Sequence, residues 1–514
     1  MNRISFFALA LALCGAPLAA QESPAGDTPS KDAKAEAAKP NPDQVKASVE
    51  EDAQPVKRSI NVRGRSLSYI ATPGHLTVRN DDGEPTASMF YVAYTVPSSR
   101  PRPVTFLFNG GPGSSTMWLH MGSFGPMKVD ASNPETVAGP PFRYGPNPDT
   151  LLDITDLVFI DAPTTGLSRP LGKAEPKDFF GVDKDLNAFS KTIQRYLTKY
   201  QRWNSPKFII GESYGTTRAA GLSDMLLDSG VQLNGIAFVS TVFNFADFQG
   251  DQSFVNFFPT LAANAWYHGK IDPRPDLRQF LGEASAFANG PYAAALQKGN
   301  ALAIEEKQSV ARQMARFLGI SPDYILRANL RVDDNRFRRE LLRDRHQIIG
   351  RIDSRYVGTE ADNAGAGTTY DPQASAITGA FVGALNDYLF RDLGYKTQLI
   401  YRPNNYAAIY GGPDGWNFQH KGPDGDQQMA DTSVDLANAM RQNPRMKVIS
   451  VNGYYDLATP FHGADYEFGH LALEPQLQGN IRYTYYEAGH MMYTDPQSAR
   501  QLKADLAEFY ASAL

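Results

Sequence analysis

Two rhythms of apolar residues run along this chain, and they change over near residue 103. Before it, "RSINVRGRSLSYIAT", "HLTVRN" and "SMFYVAYTV" are short, largely alternating runs, broken at Gly64 and at Asp81-Asp82-Gly83. A period of two with turn residues between predicts antiparallel strands joined by hairpins. After Pro103 the apolar runs become short and continuous: "VTFLFNGG", "DLVFIDAP", "KFIIGES", "GIAFVS" and "KVISVNG", each closed by Gly, Pro, Asp or Ser. Such runs suit strands buried on both faces of a parallel sheet. Helical patterns lie between several of them, including Asp183–Tyr200, "DKDLNAFSKTIQRYLTKY". The alternation predicts an α/β sheet whose active loops sit at the carboxyl ends of its strands.

Strand signals thin out between about Asn244 and Tyr401. "SVARQMARFLGI", "DDNRFRRELLRDR" and "ASAITGAFVGALNDYLFRDLGY" are helical in pattern, so residues 244–401 read as an inserted, mainly helical cap between core segments 58–243 and 402–514. The charge run Arg336–Arg345 reads as a solvated helix face.

The N-terminus carries a different pattern. "MNRISFFALALALCGAPLAAQESPAG" places one early cation, an apolar stretch from Ile4 to Leu13 and small residues at Ala19 and Ala20. Those are the three regions of a secretory signal peptide, with an apolar stretch too short to span a bilayer comfortably. Residues 1–20 are expected to be removed after Ala20, giving a periplasmic or secreted protein with no membrane span. Residues 21–57 are rich in Ala, Lys, Asp, Glu and Pro and poor in large apolar side chains, the composition of a disordered tether.

Bulk properties narrow the function by exclusion. The 514 residues suit a large enzyme with an insertion, and the formal net charge of −5 gives no reason to expect nucleic acid as a partner. The one cysteine, Cys14, falls in the expected signal peptide, so a mature chain has neither disulfides nor thiolate chemistry. His462 and His470 are eight residues apart, which is not one-face helical spacing for a metal, and no metal or cofactor is expected.

The candidate chemistry starts at "GESYG". Its G-x-S-x-G pattern is common by itself, but here "KFII" precedes it and a helical pattern follows, the setting of a nucleophile on a strained strand-to-helix turn. Ser213 needs a base. In this arrangement the chain order is Ser, then Asp or Glu, then His. Six histidines follow Ser213: His268, His346, His420, His462, His470 and His490. The first two fall in the expected cap, and His420, His462 and His470 read as structural. His490 follows the strand-like run of "IRYTYYEAGHMMY" and a glycine, where a loop would present it. Asp456 in "KVISVNGYYDLATP" follows a strand end and precedes His490, ahead of Asp465 and Glu467, which sit in the next helical stretch. The glycine-rich turn of "FLFNGGPGSS" supplies backbone N–H groups for an oxyanion hole, with the Tyr214 amide as second donor.

Together "NGGPGSS", "DAPTTGLS", "GESYG", "NGYYDLATP" and "AGHMMY" resemble, in order and approximate spacing, the serine carboxypeptidases, α/β-hydrolase-fold peptidases with a helical cap. The likeness runs from about Val104 to the C-terminus. It implies an α/β-hydrolase fold and a serine-type carboxypeptidase acting on peptides with a free C-terminus through an acyl-enzyme. Ser213 corresponds to the nucleophile, Asp456 to the triad acid, His490 to the base, and Gly111 and Tyr214 to the oxyanion-hole amides. Asn109, Gly110 and Glu212 correspond to the site for the substrate's terminal carboxylate, where Glu212 belongs to a carboxyl pair sharing a proton. The chain departs from that pattern at Ser123, which stands where the family's second glutamate falls, and His120 or a cap residue is left to replace it. An esterase or acyltransferase would use the same triad, and a catalytically silent binding protein is the alternative outside enzymes.

Overall fold

The computed structural model describes residues 46–131, 133–411 and 414–514. The expected signal peptide and residues 21–45 of the expected tether lie outside the described residues. Three antiparallel strands come first, β1 (Val56–Val62), β2 (Arg65–Arg79) and β3 (Pro85–Thr95). Gly64 and Gly83 turn the chain between them at positive φ, +79° and +81°, where a side chain would be strained. Both faces of β3 are buried from Ala87 to Tyr94, because a helix covers the side that alternation alone would leave wet. That helix, α1 (Val182–Lys199), sets Tyr196 edge-on to Tyr91 at 5.8 Å.

The remaining strands are β4 (Val104–Phe108), β5 (Asp156–Ile160), β6 (Lys207–Glu212), β7 (Gly235–Val239), β8 (Lys447–Gly453) and β9 (Ile481–Tyr486). The ten-stranded sheet runs β1-β2-β3-β5-β4-β6-β7-β8-β9, with the two-residue strand Arg169–Pro170 as tenth member on β3. From β5 to β9 every pairing is parallel. Successive residues point to opposite faces. Phe106 and Ile209 therefore enter one apolar core with Phe189 and Leu222, while Leu107 and Ile210 enter the other with Leu506 and Phe509.

The order reverses at β4: the chain steps to β5 on one side and then returns to β6 on the other. A crevice forms at the carboxyl ends of strands beside such a switch point. In register, Phe108 lies against Gly211, and Val239 against Glu212, so the loops after β4 and β6 leave the sheet side by side.

Between β7 and β8 lies a largely helical region whose main members are α3 (Gly250–Tyr267), α4 (Leu277–Phe287), α5 (Ile304–Leu318), α6 (Pro372–Asn386) and α7 (Ser433–Gln442). Phe258, Phe280, Phe287 and Phe317 centre a third apolar core there. No described helix is long and apolar enough to cross a membrane.

Two expectations need correction. The described end of the expected tether is fixed: Glu51 pairs with Arg195 at 2.7 Å, and Asp52 accepts from Tyr395 at 2.8 Å and lies 2.9 Å from His75. Composition could not show this, since the anchors are charges meeting distant partners. The charge run is also only partly solvated. Arg338 and Arg339 are buried, with Arg339 3.6 Å from Glu360, because the short helix Asp334–Glu340 packs inside the helical region.

Candidate active site

The helix α2 (Tyr214–Asp228) begins directly after β6, leaving Ser213 alone to make the turn. Its backbone sits at φ +60° and ψ −131°, a region that non-glycine residues occupy at a cost and only where the surroundings impose it. Here the Ser213 N–H donates to the Val239 carbonyl at 2.9 Å, and the Ser213 carbonyl accepts from the Thr216 N–H at 2.7 Å. A Cβ on Gly211 would sit 2.1 Å from the Gly215 carbonyl oxygen, so the turn is possible only with glycine there.

The loop after β4 presses on the same turn. A Cβ on Gly110 would meet the Tyr214 nitrogen at 2.4 Å. Gly111 follows at φ +111°. The Tyr214 N–H is the first of α2 and has no acceptor within its helix, which leaves it beside the glycine loop to donate a hydrogen bond to an anion. The loop is clamped from below. Arg218, with no exposure, donates to the Asn109 carbonyl at 2.7 Å and pairs with buried Asp185 at 2.6 Å. The Tyr214 hydroxyl also donates to Asp185, at 3.3 Å.

Asp456 and His490 follow β8 and β9. His490 Nδ1 lies 2.7 Å from Asp456 Oδ2, so the carboxylate selects the tautomer with hydrogen on Nδ1 and leaves Nε2 as the basic nitrogen. Asp456 is fully buried and oriented by the Ala458 and Thr459 amides, at 2.7 and 3.0 Å, and by the Thr459 hydroxyl at 2.7 Å. Burial works against a charged His490, but Asp456 and then Glu212 outweigh it and raise its pKa above the usual value. Ser213 and His490 border one cleft of about 60 Å³, together with Asn109, Gly110, Gly111 and Glu212. Six of the eight carried-over positions thus border one cleft, Asp456 is joined to it through His490, and Tyr214 directly follows Ser213. A wider depression of about 720 Å³ lies between β2 and α1, and no triad position borders it.

Glu212 is buried beside the serine. Burial raises its pKa to about 7, against the opposing pull of His490 and of hydrogen bonds from Tyr493 and Asn109. The Tyr493 hydroxyl donates to Glu212 Oε2 at 2.5 Å. Asn109 Oδ1 takes the Leu119 N–H at 3.0 Å, which turns its amide nitrogen toward the carboxyl. Ser123 does not reach Glu212: its hydroxyl donates to the Leu119 carbonyl at 2.6 Å. Nor does His120, whose Nε2 lies 2.5 Å from the Tyr94 hydroxyl and whose ring stacks on Phe159 at 4.6 Å. The partner is Tyr493, which sequence reasoning missed although it stands three residues after His490 in the same motif.

The other histidines considered are held elsewhere: His420 between Asp183 and Asp435, His462 against Asn289, and His470 on the Tyr466 carbonyl. Thr459, Arg218 and Asp185 were also missed, because nothing local marks them. One further brace comes from the helical region. The Ile352 carbonyl accepts the His490 N–H at 2.7 Å, the Arg351 carbonyl accepts the Leu457 N–H at 2.9 Å, and the Ser354 N–H donates to the Tyr455 carbonyl at 3.1 Å. Among the described residues no group of three or more His, Cys, Asp or Glu could hold a metal ion.

Residues 66–272 match the model of the serine carboxypeptidase family. On that match the protein is a serine hydrolase. Among solved structures this serine hydrolase is similar to Kex1(delta)p, a prohormone-processing carboxypeptidase from Saccharomyces cerevisiae, at 14% identity and a TM-score of 0.52, covering 86% of this chain and 91% of that one. A proline iminopeptidase from Mycobacterium smegmatis follows at 12% identity and a TM-score of 0.35, over 85% and 98% of the two chains. The yeast likeness speaks for the α/β-hydrolase fold. Comparison with curated proteins gives no match.

Proposed function

We propose that this serine hydrolase is a carboxypeptidase that releases C-terminal residues from peptides through an acyl-enzyme. The observation that carries the reading is Glu212, a buried carboxyl next to Ser213 whose pKa is held up to about 7. Below that value it is neutral and can donate a hydrogen bond to a substrate's terminal carboxylate, with the Asn109 side chain and the Gly110 backbone completing the site. In the reaction, His490 Nε2 takes the proton from Ser213 as its oxygen attacks the scissile carbonyl. The Gly111 and Tyr214 N–H groups receive the charge on the carbonyl oxygen. His490 then protonates the leaving amine, and water, activated by the same imidazole, releases the acyl group. Asp456 holds the imidazole throughout.

The test compares rates on a blocked dipeptide with a free C-terminus, on its C-terminal amide and on a simple ester, with Ser213→Ala as control. The free acid should be preferred over the amide by at least tenfold below pH 7. Equal hydrolysis of acid and amide would sink the assignment. That result would favour the second reading, an esterase or acyltransferase, for which Ser123 in place of a second carboxyl is the specific observation. Fluorophosphonate labelling that disappears in Ser213→Ala eliminates a silent binding protein.

We also propose that residues 1–20 are an export signal cleaved after Ala20, that 21–45 tether the enzyme, and that residues 244–401 form a cap inserted into the hydrolase core. N-terminal sequencing of the mature protein from the periplasm or medium should begin at Gln21.

A further inference from the structure

A second cavity of about 350 Å³ adjoins the cleft, sharing Trp118, Arg351, Ile352, Ala374 and Tyr406 with it. Two cations border it, Arg338 and Arg351, and one carboxylate, Asp371. Asp371 keeps its charge, but its oxygens are taken by backbone amides. Its Oδ2 accepts from the Arg351 and Ile352 amides at 2.5 and 3.3 Å, and its Oδ1 accepts from the Ala374 amide at 2.9 Å as the cap of α6. The nearby Asp334 is divided between the two arginines, 3.5 Å from Arg338 Nε and 3.7 Å from Arg351 Nε. Those separations exceed a normal hydrogen bond. Arg351 Nη2 has the Ala458 carbonyl at 3.5 Å, and Arg338 Nη2 donates to Asn335 at 3.1 Å. Arg338 is 7% exposed, yet its Nε has no hydrogen-bond partner. Burial lowers its pKa even though Asp334, Asp371 and Asp333 pull the other way, so its desolvation is not fully offset.

On the cleft side of the shared wall stands Gln373, 1% exposed, with neither its Nε2 nor its Oε1 bonded. Buried polar groups are nearly always paired, and each orphan calls for an explanation. An unpaired amide beside a serine nucleophile and an incompletely hydrogen-bonded guanidinium in the adjoining cavity have a common one: both are completed by substrate.

We propose that this cavity is a subsite for an acidic side chain of the peptide substrate, received by Arg351 and Arg338, while the Gln373 amide bonds the peptide group that passes the shared wall. The inference rests on the peptidase reading. A carboxylate suits it because guanidinium groups favour planar, charge-assisted pairing, and 350 Å³ of space is ample for one side chain.

The experiment measures kcat/KM for blocked tripeptides with a free C-terminus in which each position in turn is Glu, Gln or Lys. At one position Glu should exceed Gln by at least tenfold and Lys by more. Arg351→Gln should bring the Glu-to-Gln ratio toward one. Because Arg351 also touches the loop of Asp456, the readout is the ratio rather than the absolute rate. A second variant leaves both arginines in place: Ser375→Glu, at an exposed position of α6 bordering the cavity, should likewise erase the ratio by occupying the guanidinium groups. Wild-type enzyme that cleaves the neutral tripeptides but shows no Glu preference at any position overturns the subsite and leaves the peptidase reading intact. Failure to cleave any tripeptide, with esters still hydrolysed, overturns both. A Glu preference unchanged in both variants also overturns the assignment to these arginines.

Discussion

Replacing Glu212 by glutamine tests whether the proton on this buried carboxyl governs recognition of the substrate terminus. Holding the group neutral up to about 7 instead of the usual 4.5 corresponds to a net of about 3 kcal/mol against ionisation, burial outweighing His490 and the hydrogen bonds from Tyr493 and Asn109. In wild type, kcat/KM on a free-acid peptide needs Glu212 protonated and His490 neutral at Nε2. The two titrate as a coupled pair, so the profile is a bell whose limbs belong to the pair. Above pH 7 the falling limb should approach about tenfold per pH unit, because a second negative charge then meets the substrate's carboxylate. Glutamine donates a hydrogen bond at every pH, so Glu212→Gln should remove the falling limb. It also removes an anion that helps raise the His490 pKa, so the rising limb should move to lower pH. The assay is kcat/KM from pH 4 to 9 on a free-acid dipeptide, with the C-terminal amide as the control that lacks a falling limb. A falling limb near pH 7 that persists in Glu212→Gln would falsify the reasoning, as would a flat wild-type profile up to pH 9.

Tyr493→Phe removes a hydrogen bond that lowers the Glu212 pKa, so the falling limb on the free acid should shift to higher pH, while the amide should still show no falling limb. Asp185→Asn leaves Arg218 buried without its counter-charge, with an expected loss of about 3–5 kcal/mol in denaturant unfolding; a loss below about 1 kcal/mol would show that the pair does not support the glycine loop. His420 is opposed by burial, but Asp183 and Asp435 outweigh that and raise its pKa from 6.5 to about 9. The raised value means its stabilisation, roughly 3 kcal/mol at most, is fully present below pH 6.5 and is lost as pH rises through 9. His420→Gln should flatten the decline in unfolding free energy across that window.

The parallel strands were legible because continuous apolar runs ending in Gly, Asp or Ser have few other uses, and the triad positions follow such runs directly. Tyr493 was missed for a different reason. The family pattern directs attention to a second carboxyl near residue 123, whereas in space the hydroxyl of a residue more than 350 positions later takes its place beside Glu212. The Arg336–Arg345 run misled because periodicity tells which residues share a helix face but not which face is buried. Gln373 and the Arg351 brace lie in the helical region, where long-range packing decides what touches the cleft and no local pattern reports it.

The segment from Arg351 to Ser354 hydrogen-bonds the loops carrying both Asp456 and His490, and this bears on how the enzyme can diversify. In many scaffolds the part that chooses the substrate is a module, exchanged while the chemistry stays untouched. Here one short stretch of the helical region serves both ends: Arg351 faces the pockets while its own backbone carbonyl steadies the acid's loop. A lineage or a designer swapping that region wholesale would discard the support of the catalytic pair along with the old specificity. New specificities should therefore arise by point changes around a retained strap, most easily on the first turns of α6, and chimaeras should keep activity only when the crossover points leave residues 350–355 in their native context.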